Sequence, residues 1–169
     1  MQEILDAYDE GENLLGYDLI RGQLNPKGVF RLIVMVLIQH EDGDFLLMQR
    51  DFTKSWMGGY YDASAMGATM KGETSKEAGI REVFEETGIA LDELVLINKR
   101  VEPDIGVICH CYRAVTSCAK EGIVLQAGET IAYKWLAPQA FFAFMDSEEA
   151  IPLVRERLRP YLDTIKGSL

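Results

Sequence analysis

Gly67–Ile89 has the sequence GATMKGETSKEAGIREVFEETGI, and the two ends of this segment predict a single helix. Thr74 and, three residues later, Glu77 form the pattern of a capping box, so the helix is expected to begin at the residue after Thr74. Gly88 stands where a left-handed C-terminal cap is needed, so the helix is expected to end at Thr87. About thirteen residues, or nearly four turns, are therefore helical.

The predicted helix has an apolar side and an acidic side. At about 100° per residue, four side chains fall on one stripe and are expected to face the core: Ile80, Val83, Phe84 and Thr87. Three carboxylates point together on the opposite side: Glu82, Glu85 and Glu86. Like charges at spacings of three and four residues weaken an isolated helix, so the acidic side needs a compensating cation unless it is simply exposed to solvent. Hard divalent cations prefer oxygen ligands, and Mg²⁺ is commonly shared between carboxylates and substrate phosphates.

The composition limits the classes of protein that remain. The 169 residues predict one domain, and the content of 48% hydrophobic and 26% charged residues is typical of a globular chain. The net charge of −10 is expected to repel nucleic acid polymers and anionic lipid unless a cation intervenes. Three cysteines argue against a disulfide framework, and the longest apolar run, Leu32–Ile38, is too short to span a membrane. The acidic N-terminus lacks the features of a signal peptide, so we expect a cytoplasmic protein.

Short strand patterns surround the central helix. The segments expected to form strands are 3–9, 14–21, 29–39, 45–50, 61–68, 93–102, 105–116 and 130–136. The first two predict an N-terminal hairpin, and 45–50 is expected to return along 29–39 after a turn at 42–44. A helical part begins at Pro138 and is clearest over 148–165. The pattern indicates an α/β fold in which a mixed sheet carries helices on both faces.

Gly67, Glu73 and the run Arg81–Ile89 resemble the Nudix box, and no position of that 23-residue signature is missing. The resemblance to the Nudix hydrolase family implies an α/β/α sandwich with a mixed β-sheet, to which this chain adds its N-terminal hairpin. It also implies Mg²⁺-dependent or Mn²⁺-dependent hydrolysis of the diphosphate bond in a nucleoside diphosphate linked to another moiety. Glu73 is expected to brace the loop that enters the helix. The single expected domain, 1–169, then divides into a hairpin extension, a Nudix core and a helical segment: 1–27, 28–137 and 138–169.

The resemblance also implies a role for each charged residue at the end of the box. Glu82 and Glu86 are the expected metal ligands, and Glu85 is expected to ligate directly or through water. The backbone carbonyl of Met66 is expected to join the metal ligands. Arg81 is expected to orient the glutamates by ion pairing. Water would then attack a phosphorus atom of the diphosphate, with Glu82 or Glu85 as the general base.

Residues outside the box complete the expected site. Glu129, in the loop Gln126–Thr130, is a further candidate for the general base, because Nudix enzymes often draw a carboxylate from a later loop. Arg50 and Lys54 lie at the end of a strand and in the loop after it, where they are expected to reach substrate phosphates. Trp56 is expected to stack on a base or another flat group. For each of these residues, a surface or packing role is the alternative that the sequence leaves open.

Two rival functions remain. Tyr8–Gly11 and Leu15–Gly16 resemble the branch of the family that includes isopentenyl diphosphate isomerase. In that enzyme a catalytic cysteine stands immediately before the box glycine, where this chain has Met66, and a histidine stands at the position of Ala68. Because a thioether cannot donate a proton to an alkene, isomerase activity is disfavoured. The other rival is a non-catalytic module that binds a nucleotide or a partner, and the hairpin is a candidate contact for a homodimer.

Two smaller predictions concern a glycine and the cysteines. Gly79 is unfavourable in the middle of a helix by about 1 kcal/mol relative to alanine, and we expect it to leave room beside Glu86 for a metal and its waters. Cys109 and Cys111 are expected to share one face of a strand, with His110 on the other face. Since no further cysteine or histidine pair has zinc spacing, buried thiols and a hydrogen-bonded histidine are expected there.

Overall fold

The computed structural model describes residues 2–167. Its strands are Ile4–Tyr8 (β1), Leu14–Ile20 (β2), Arg31–His40 (β3), Phe45–Arg50 (β4), Tyr61–Asp62 (β5), Ala65–Ala68 (β6), Val95–Glu102 (β7), Val107–Thr116 (β8) and Thr130–Leu136 (β9). Its helices are Ser75–Thr87 (α1), Pro138–Asp146 (α2) and Pro152–Lys166 (α3). The predicted α/β class is therefore confirmed. Within this described range, no helix is both long enough and apolar enough to cross a membrane.

Seven of the strands form one mixed sheet, with the central order β5-β4-β3-β8-β7. β3 and β8 run parallel, in a register that extends from Arg31 opposite Val107 to His40 opposite Thr116. The other strand pairs of this sheet are antiparallel, with β6 against β3 and β9 against β4. β1 and β2 form a separate two-stranded sheet, so the predicted N-terminal hairpin is confirmed.

The pairing of β4 differs from the prediction. The sequence predicts a full hairpin of β3 with β4, but the two strands pair only next to their turn, where Gln39 lies opposite Phe45. Beyond that point the edge of β3 is used by β6, in a register that places Val34 opposite Gly67. The prediction of one strand over 61–68 is therefore wrong, because the segment divides into β5, which pairs with β4, and β6, which pairs with β3. The backbone N–H and C=O groups on one edge of a strand can form hydrogen bonds with only one neighbouring strand at a time. The division of the segment therefore places Gly67 next to the central strand β3.

The sheet separates two apolar layers. Alternate side chains of β3 face opposite layers, as expected for a strand that is buried on both faces. One layer lies against α1 and includes Val34, Val36, Ala78 and Val83. The other lies against α2 and α3 and includes Met35, Leu37, Phe141 and Leu158. The predicted α/β/α sandwich is therefore confirmed.

Helix α1 has its predicted ends but only part of its predicted buried face. Thr74 and Glu77 form both hydrogen bonds of the capping box, and Gly88 takes the left-handed conformation with a φ of 74°. The predicted apolar stripe is wrong only at Phe84, which is 59% exposed, since Val83 and Thr87 are buried as predicted; in addition, two carboxylates of the acidic side are buried. The helix is therefore rotated about its axis, so that part of its acidic side faces the sheet.

Gly79 explains this rotation. A Cβ at this position would lie 2.6 Å from Cδ1 of Leu94 and 3.3 Å from Cγ2 of Val36. The glycine thus lets the helix pack closely against apolar side chains of the core, which turns the neighbouring acids inward and Phe84 outward. The prediction that Gly79 leaves room for a metal and its waters is wrong, since hydrophobic side chains fill that space.

The N-terminal hairpin is attached to the rest of the protein by apolar and polar contacts. Its apolar side packs in a cluster of five buried residues: Leu5, Ala7, Leu19, Val29 and Ala68. In its turn, Oε2 of Glu12 lies 3.1 Å from Nε2 of His110, and Nδ1 of the same histidine lies 2.8 Å from Oγ of Ser75. Cys109 and Cys111 are buried in the opposite layer. The histidine therefore joins the hairpin to the first turn of α1.

Candidate active site

A polar cavity lies between α1, the open end of the hairpin and the loop that precedes β9. The residues that line it are Glu3, Arg21, Met66, Met70, Arg81, Glu82, Glu85, Glu86, Gln126 and Glu129. Every acidic residue predicted for catalysis or metal binding is among them, three from the helix and one from the later loop. Two residues of the hairpin join them from a distant part of the chain.

Gly67 allows the carboxylate of Glu82 to lie directly against β6. A Cβ built on Gly67 would lie 1.9 Å from Cδ of Glu82, which is far inside van der Waals contact. Any residue other than glycine at position 67 would therefore occupy the space of the Glu82 carboxylate. The first glycine of the box therefore determines how deeply Glu82 is placed.

Arg81 holds the acidic side of α1 and the preceding loop together. Its Nε and Nη2 donate hydrogen bonds to the two carboxylate oxygens of Glu73, each at 2.9 Å. Its Nη1 donates to Glu82 at 2.7 Å and to Glu85 at 3.3 Å. The hydrogen bonds with Glu73 raise the pKa of Arg81, so the guanidinium stays charged. Glu73 also accepts a hydrogen bond of 3.0 Å from the backbone N–H of Met70, which ties the loop to the helix.

Glu82 and Glu86 are buried carboxylates, with exposures of 8% and 9%. Burial raises the pKa of Glu82, and the hydrogen bond with Arg81 opposes this effect. Burial and, after it, the negative charges of Glu82, Asp62 and Glu129 raise the pKa of Glu86 well above its usual value. Within the described chain, the ion pairs of Arg81 include Glu82 but not Glu86. Glu86 is therefore a buried acid whose charged neighbours are mainly other acids.

This surplus of buried negative charge is suited to a divalent cation. Carboxylate oxygens are preferred ligands of hard cations, and a bound cation removes the cost of placing acids side by side. Among residues 2–167, no three acidic, histidine or cysteine side chains converge closely enough to hold an ion as they stand. The hydrogen bonds from Arg81 explain why the carboxylates do not converge on one point, because they draw Glu82 and Glu85 toward the guanidinium. The donor set fits the chemistry of a divalent metal, and binding requires these side chains to move.

Met66 lies at the boundary between the cavity and the α3 layer. It pairs with Met35 across β3 and β6 and lines the cavity. On the α3 side, its sulfur atom lies 3.3 Å from Nη1 of Arg157. Arg157 in turn donates hydrogen bonds of 2.8 and 2.6 Å to the two carboxylate oxygens of Glu102, and both residues are buried. The residue before the box glycine is therefore linked to a buried ion pair.

Glu129 faces the cavity from the loop before β9. Nζ of Lys54 donates a hydrogen bond of 2.5 Å to Oε2 of Glu129, and the backbone N–H of Asp51 donates one of 2.8 Å to its backbone carbonyl. The loop 51–60 and the loop of Glu129 are thus joined. Lys54 therefore reaches the edge of the cavity through its contact with Glu129.

Arg50 and Trp56, which the sequence predicts to bind substrate, lie outside the lining of the described cavity. Nη1 of Arg50 donates to Asp62 at 3.2 Å, and its Nε donates to the backbone carbonyl of Trp56 at 3.1 Å. The guanidinium also lies 5.1 Å from the centroid of the Trp56 ring. In this structure the two residues therefore hold the loop 51–60 in its conformation and contact each other.

Arg21 is a residue of the cavity that no sequence pattern indicated. It forms an ion pair with Glu3 and lines the cavity opposite the helix. Arg21 is the only basic residue among the first 26, which contain six acidic residues, and this contrast is the one signal that singles it out. Its contact with the site depends on how the hairpin packs, which no local spacing rule describes.

Comparison with known proteins identifies the family of this chain. The family model of the NUDIX domain matches residues 29–157, which is most of the chain. The chain belongs to the Nudix family, and Nudix hydrolases are among its relatives. An uncharacterized Nudix hydrolase of Listeria monocytogenes is 40% identical over 87 residues, which are 52% of this chain and 52% of that protein. The chain thus covers about half the length of this relative.

Other similarities cover more of the chain at lower identity. An isopentenyl-diphosphate Delta-isomerase of Corynebacterium diphtheriae is 33% identical over 119 residues, which are 70% of this chain and 55% of that enzyme. The crystal structure of DR0079 from Deinococcus radiodurans has a TM-score of 0.73 at 22% identity and covers 92% of this chain and 99% of its own. The NUDIX domain of Shewanella oneidensis NrtR, solved with ADP ribose, has a TM-score of 0.61 at 16% identity, covering 82% and 88%. These structures show that the fold is shared.

Proposed function

We propose that the protein is a Nudix hydrolase that uses Mg²⁺ or Mn²⁺ to cleave the diphosphate bond of a nucleoside diphosphate linked to another moiety. The observation that carries the proposal is the buried carboxylate of Glu86 in a cavity that it shares with Glu82, Glu85 and Glu129. The complete box supports it, since none of its acids is replaced. Burying several acids in one place is costly, and a purely structural role does not explain that cost.

The metal-binding role falls to the residues that surround Glu86. Glu82 and Glu86 would hold the metal, with Glu85 as a direct or water-mediated ligand and the carbonyl of Met66 as a further ligand. When bound, a divalent ion polarises phosphoryl oxygens, lowers the pKa of the attacking water and neutralises the leaving phosphate. Arg81 keeps Glu82 and Glu85 at the cavity through its Nη1 atom. Arg21 adds positive charge on the opposite side, where it would contact substrate phosphate.

Glu85 is the best placed of the candidates for the general base. A general base must have an oxygen that is free to accept a proton from water. Glu85 is exposed and has a single contact of 3.3 Å with Arg81, whereas an oxygen of Glu129 is occupied by Lys54 at 2.5 Å. Glu82 is buried and is held more tightly by Arg81, at 2.7 Å. The proton of the attacking water therefore goes to Glu85, with Glu129 as the alternative.

Glu85→Gln is expected to lower kcat by about a hundredfold, the lower end of the range for loss of a general base. Glu129→Gln is expected to lower it by less than about tenfold, because it removes only a rim charge and the contact with Lys54. Steady-state kinetics of both variants over a range of pH tests this order. The reverse order would assign the proton transfer to Glu129.

Gly67→Ala is expected to displace Glu82 and to lower kcat/KM by at least about tenfold, because a Cβ would occupy the position of the carboxylate. Gly122→Ala is the matched control, since a Cβ there would lie 3.8 Å from its nearest neighbour, in ordinary contact. Steady-state kinetics of both variants measures the loss of kcat/KM, and thermal unfolding shows whether each variant is folded. Wild-type activity in Gly67→Ala would show that the depth of Glu82 is unimportant.

The experiment that tests the proposed function is a hydrolysis assay with Mg²⁺ and with Mn²⁺ that measures release of the phosphate-containing products, separated by chromatography, from a panel of compounds with a diphosphate bond. ADP-ribose, which the Shewanella domain binds, comes first, followed by nucleoside triphosphates, dinucleotides, nucleotide sugars and prenyl diphosphates. Metal-dependent release from at least one compound is expected. Failure of every compound would contradict the hydrolase proposal and leave the non-catalytic binding module.

Isomerase activity remains the weaker alternative despite the similarity to isomerases. Met66 stands at the sequence position of the isomerase's catalytic cysteine, its sulfur accepts a hydrogen bond from Arg157, and a thioether has no proton to donate. Incubation with isopentenyl diphosphate tests this alternative, and turnover would overturn the argument from Met66. The proposed substrate is a small diphosphate, and the proposed location is the cytoplasm. The homodimer contact through the hairpin stays a prediction, which light scattering checks.

A further inference from the structure

Arg31, the first residue of β3, is a half-buried arginine for which residues 2–167 supply no acidic partner. Its backbone N–H donates a hydrogen bond of 3.0 Å to the carbonyl of Gly106, but its guanidinium forms no ion pair with any acid of that range. The chain has 27 acidic and 17 basic residues, so acids are abundant. Since a partly buried charge is costly when it is unpaired, this arrangement needs an explanation.

The strand register places Arg31, which is not itself among the residues that line the cavity, on the face of the sheet that carries two methionines of that lining. β3 and β6 pair with Met35 opposite Met66, and one further backbone hydrogen bond of 3.0 Å extends the ladder past the end of β6. The same register places Met70 opposite Arg31. Directly opposite residues share a face, and side chains alternate along each strand, so Arg31, Met66 and Met70 lie on the same face of the sheet. Both methionines line the cavity.

Two other arginines surround the same methionines. Arg21 lines the cavity and is paired with Glu3, and Arg157 lies 3.3 Å from the sulfur of Met66 and is paired with Glu102. Burial and, after it, the positive charges of Arg21 and Arg157 lower the pKa of Arg31. Arg31 is therefore the uncompensated member of this group of three.

We propose that Arg31 binds a second anionic group of the substrate, a phosphate monoester on the ribose of the nucleoside that is joined to the cleaved diphosphate. The inference rests on the proposed function and narrows its substrate class. The acids of α1 and Arg21 lie at the end where the diphosphate would bind, whereas Arg31 lies along the strand edge marked by Met66 and Met70. A guanidinium pairs with a phosphate through two parallel hydrogen bonds. A substrate whose nucleoside lacks this phosphate would leave Arg31 unpaired.

Matched pairs of compounds that differ by one phosphate test this inference. Suitable pairs are coenzyme A with 3′-dephospho-coenzyme A, NADPH with NADH, and ADP-ribose 2′-phosphate with ADP-ribose. In at least one pair, the wild-type protein is expected to prefer the phosphorylated member by about tenfold or more in kcat/KM, as one charge-assisted hydrogen bond provides. Arg31→Gln is expected to reduce this ratio to about one, and Arg31→Lys to retain part of it.

The matched control is Arg113→Gln, which removes the same charge from a half-buried arginine of β8. Arg113 lies six residues along β8 from Val107, the residue that pairs with Arg31. This variant is expected to leave the ratio unchanged. The thermal midpoint of Arg31→Gln without ligand is expected to equal or exceed that of the wild type, because the substitution removes repulsion from Arg21 and Arg157. A marked fall in the midpoint would overturn the inference, since it would show that Arg31 stabilises the fold.

The outcomes separate this inference from the proposed function. If the two members of every pair have equal kcat/KM with the wild-type protein, the inference is overturned but the hydrolase proposal stays intact. The same holds if Arg31→Gln lowers kcat/KM equally for the phosphorylated and the unphosphorylated member of a pair. If no compound is hydrolysed, the hydrolase proposal fails, and titration calorimetry of the same compounds with Mg²⁺ decides the inference. Tighter binding of a phosphorylated member that Arg31→Gln abolishes supports it, and equal or absent binding in all pairs overturns it.

Discussion

Glu86→Gln is expected to lower the metal-dependent kcat/KM by about a thousandfold, which corresponds to about 4 kcal/mol of lost transition-state stabilisation. Glu86 is buried, it lies on the cavity, and its charged neighbours are mainly acids, so its carboxylate is the proposed ligand that the site is least able to replace. Glutamine keeps the size of the side chain and removes its negative charge. Steady-state kinetics with Mg²⁺ on a substrate from the panel measures the effect.

The same substitution is expected to stabilise the protein at neutral pH when divalent metal is absent. Burial raises the pKa of Glu86 above its value in the unfolded chain. Its contribution to stability is therefore fully present below the unfolded pKa and is lost as the pH rises through the folded pKa. The advantage of the glutamine variant should thus grow from acidic to neutral pH, as urea unfolding at several pH values would show. Added Mg²⁺ should reverse the order, because only the wild-type site binds it well.

The control for Glu86→Gln is Glu93→Gln, which removes the charge of an exposed glutamate that is paired with Lys76 at 2.7 Å. This variant should retain full activity and show no such dependence of stability on Mg²⁺. Full activity of Glu86→Gln would contradict the proposed metal-binding role of α1. Lower stability of Glu86→Gln at neutral pH would contradict the burial argument.

Arg157→Leu is expected to lower the free energy of unfolding by about 3–5 kcal/mol, the usual cost of removing one partner from a buried ion pair. Arg157 and Glu102 are 2% and 7% exposed, and both carboxylate oxygens of Glu102 accept hydrogen bonds from Arg157. The substitution leaves the buried charge of Glu102 with only a longer contact, 3.5 Å from Nε of Arg100. Urea unfolding measures the loss of stability.

A second substitution separates charge from packing. Arg157→Leu combined with Glu102→Leu should recover much of the lost stability, because no buried charge then remains unpaired. Lys166→Leu is the control on the same helix, since its pair with Asp146 is exposed, and no measurable change is expected there. A double variant as unstable as the single one would show that packing of Arg157, and not its charge, stabilises α3.

The behaviour of α1 shows how far local rules reach. The capping box and Gly88 predict both helix ends correctly, because caps are formed by residues within a few positions of one another. The hydrophobic periodicity predicts the buried face only in part, because Val83 is buried as predicted but Phe84 is exposed and Glu82 is buried. A functional helix that buries acids breaks the rule that apolar side chains face the core.

Loop and hairpin residues show where local rules end. Lys54 and Glu129 lie in different loops and form an ion pair of 2.5 Å that neither loop predicts. Arg50 has the position of a phosphate-binding residue in the sequence, yet its guanidinium is engaged by Asp62 and the Trp56 carbonyl. These partners become neighbours only when separate strands pair.

The α/β class, the ends of α1, most strand positions and the complete set of box acids follow from the order of residues alone, because they depend on contacts within a few positions along the chain. Packing between distant segments was needed for the rest. The close approach at Gly79 turned Glu82 inward, and the docking of the hairpin brought Arg21 to the acids. Such contacts depend on how sheets and helices fit together in space, which no short window of sequence contains.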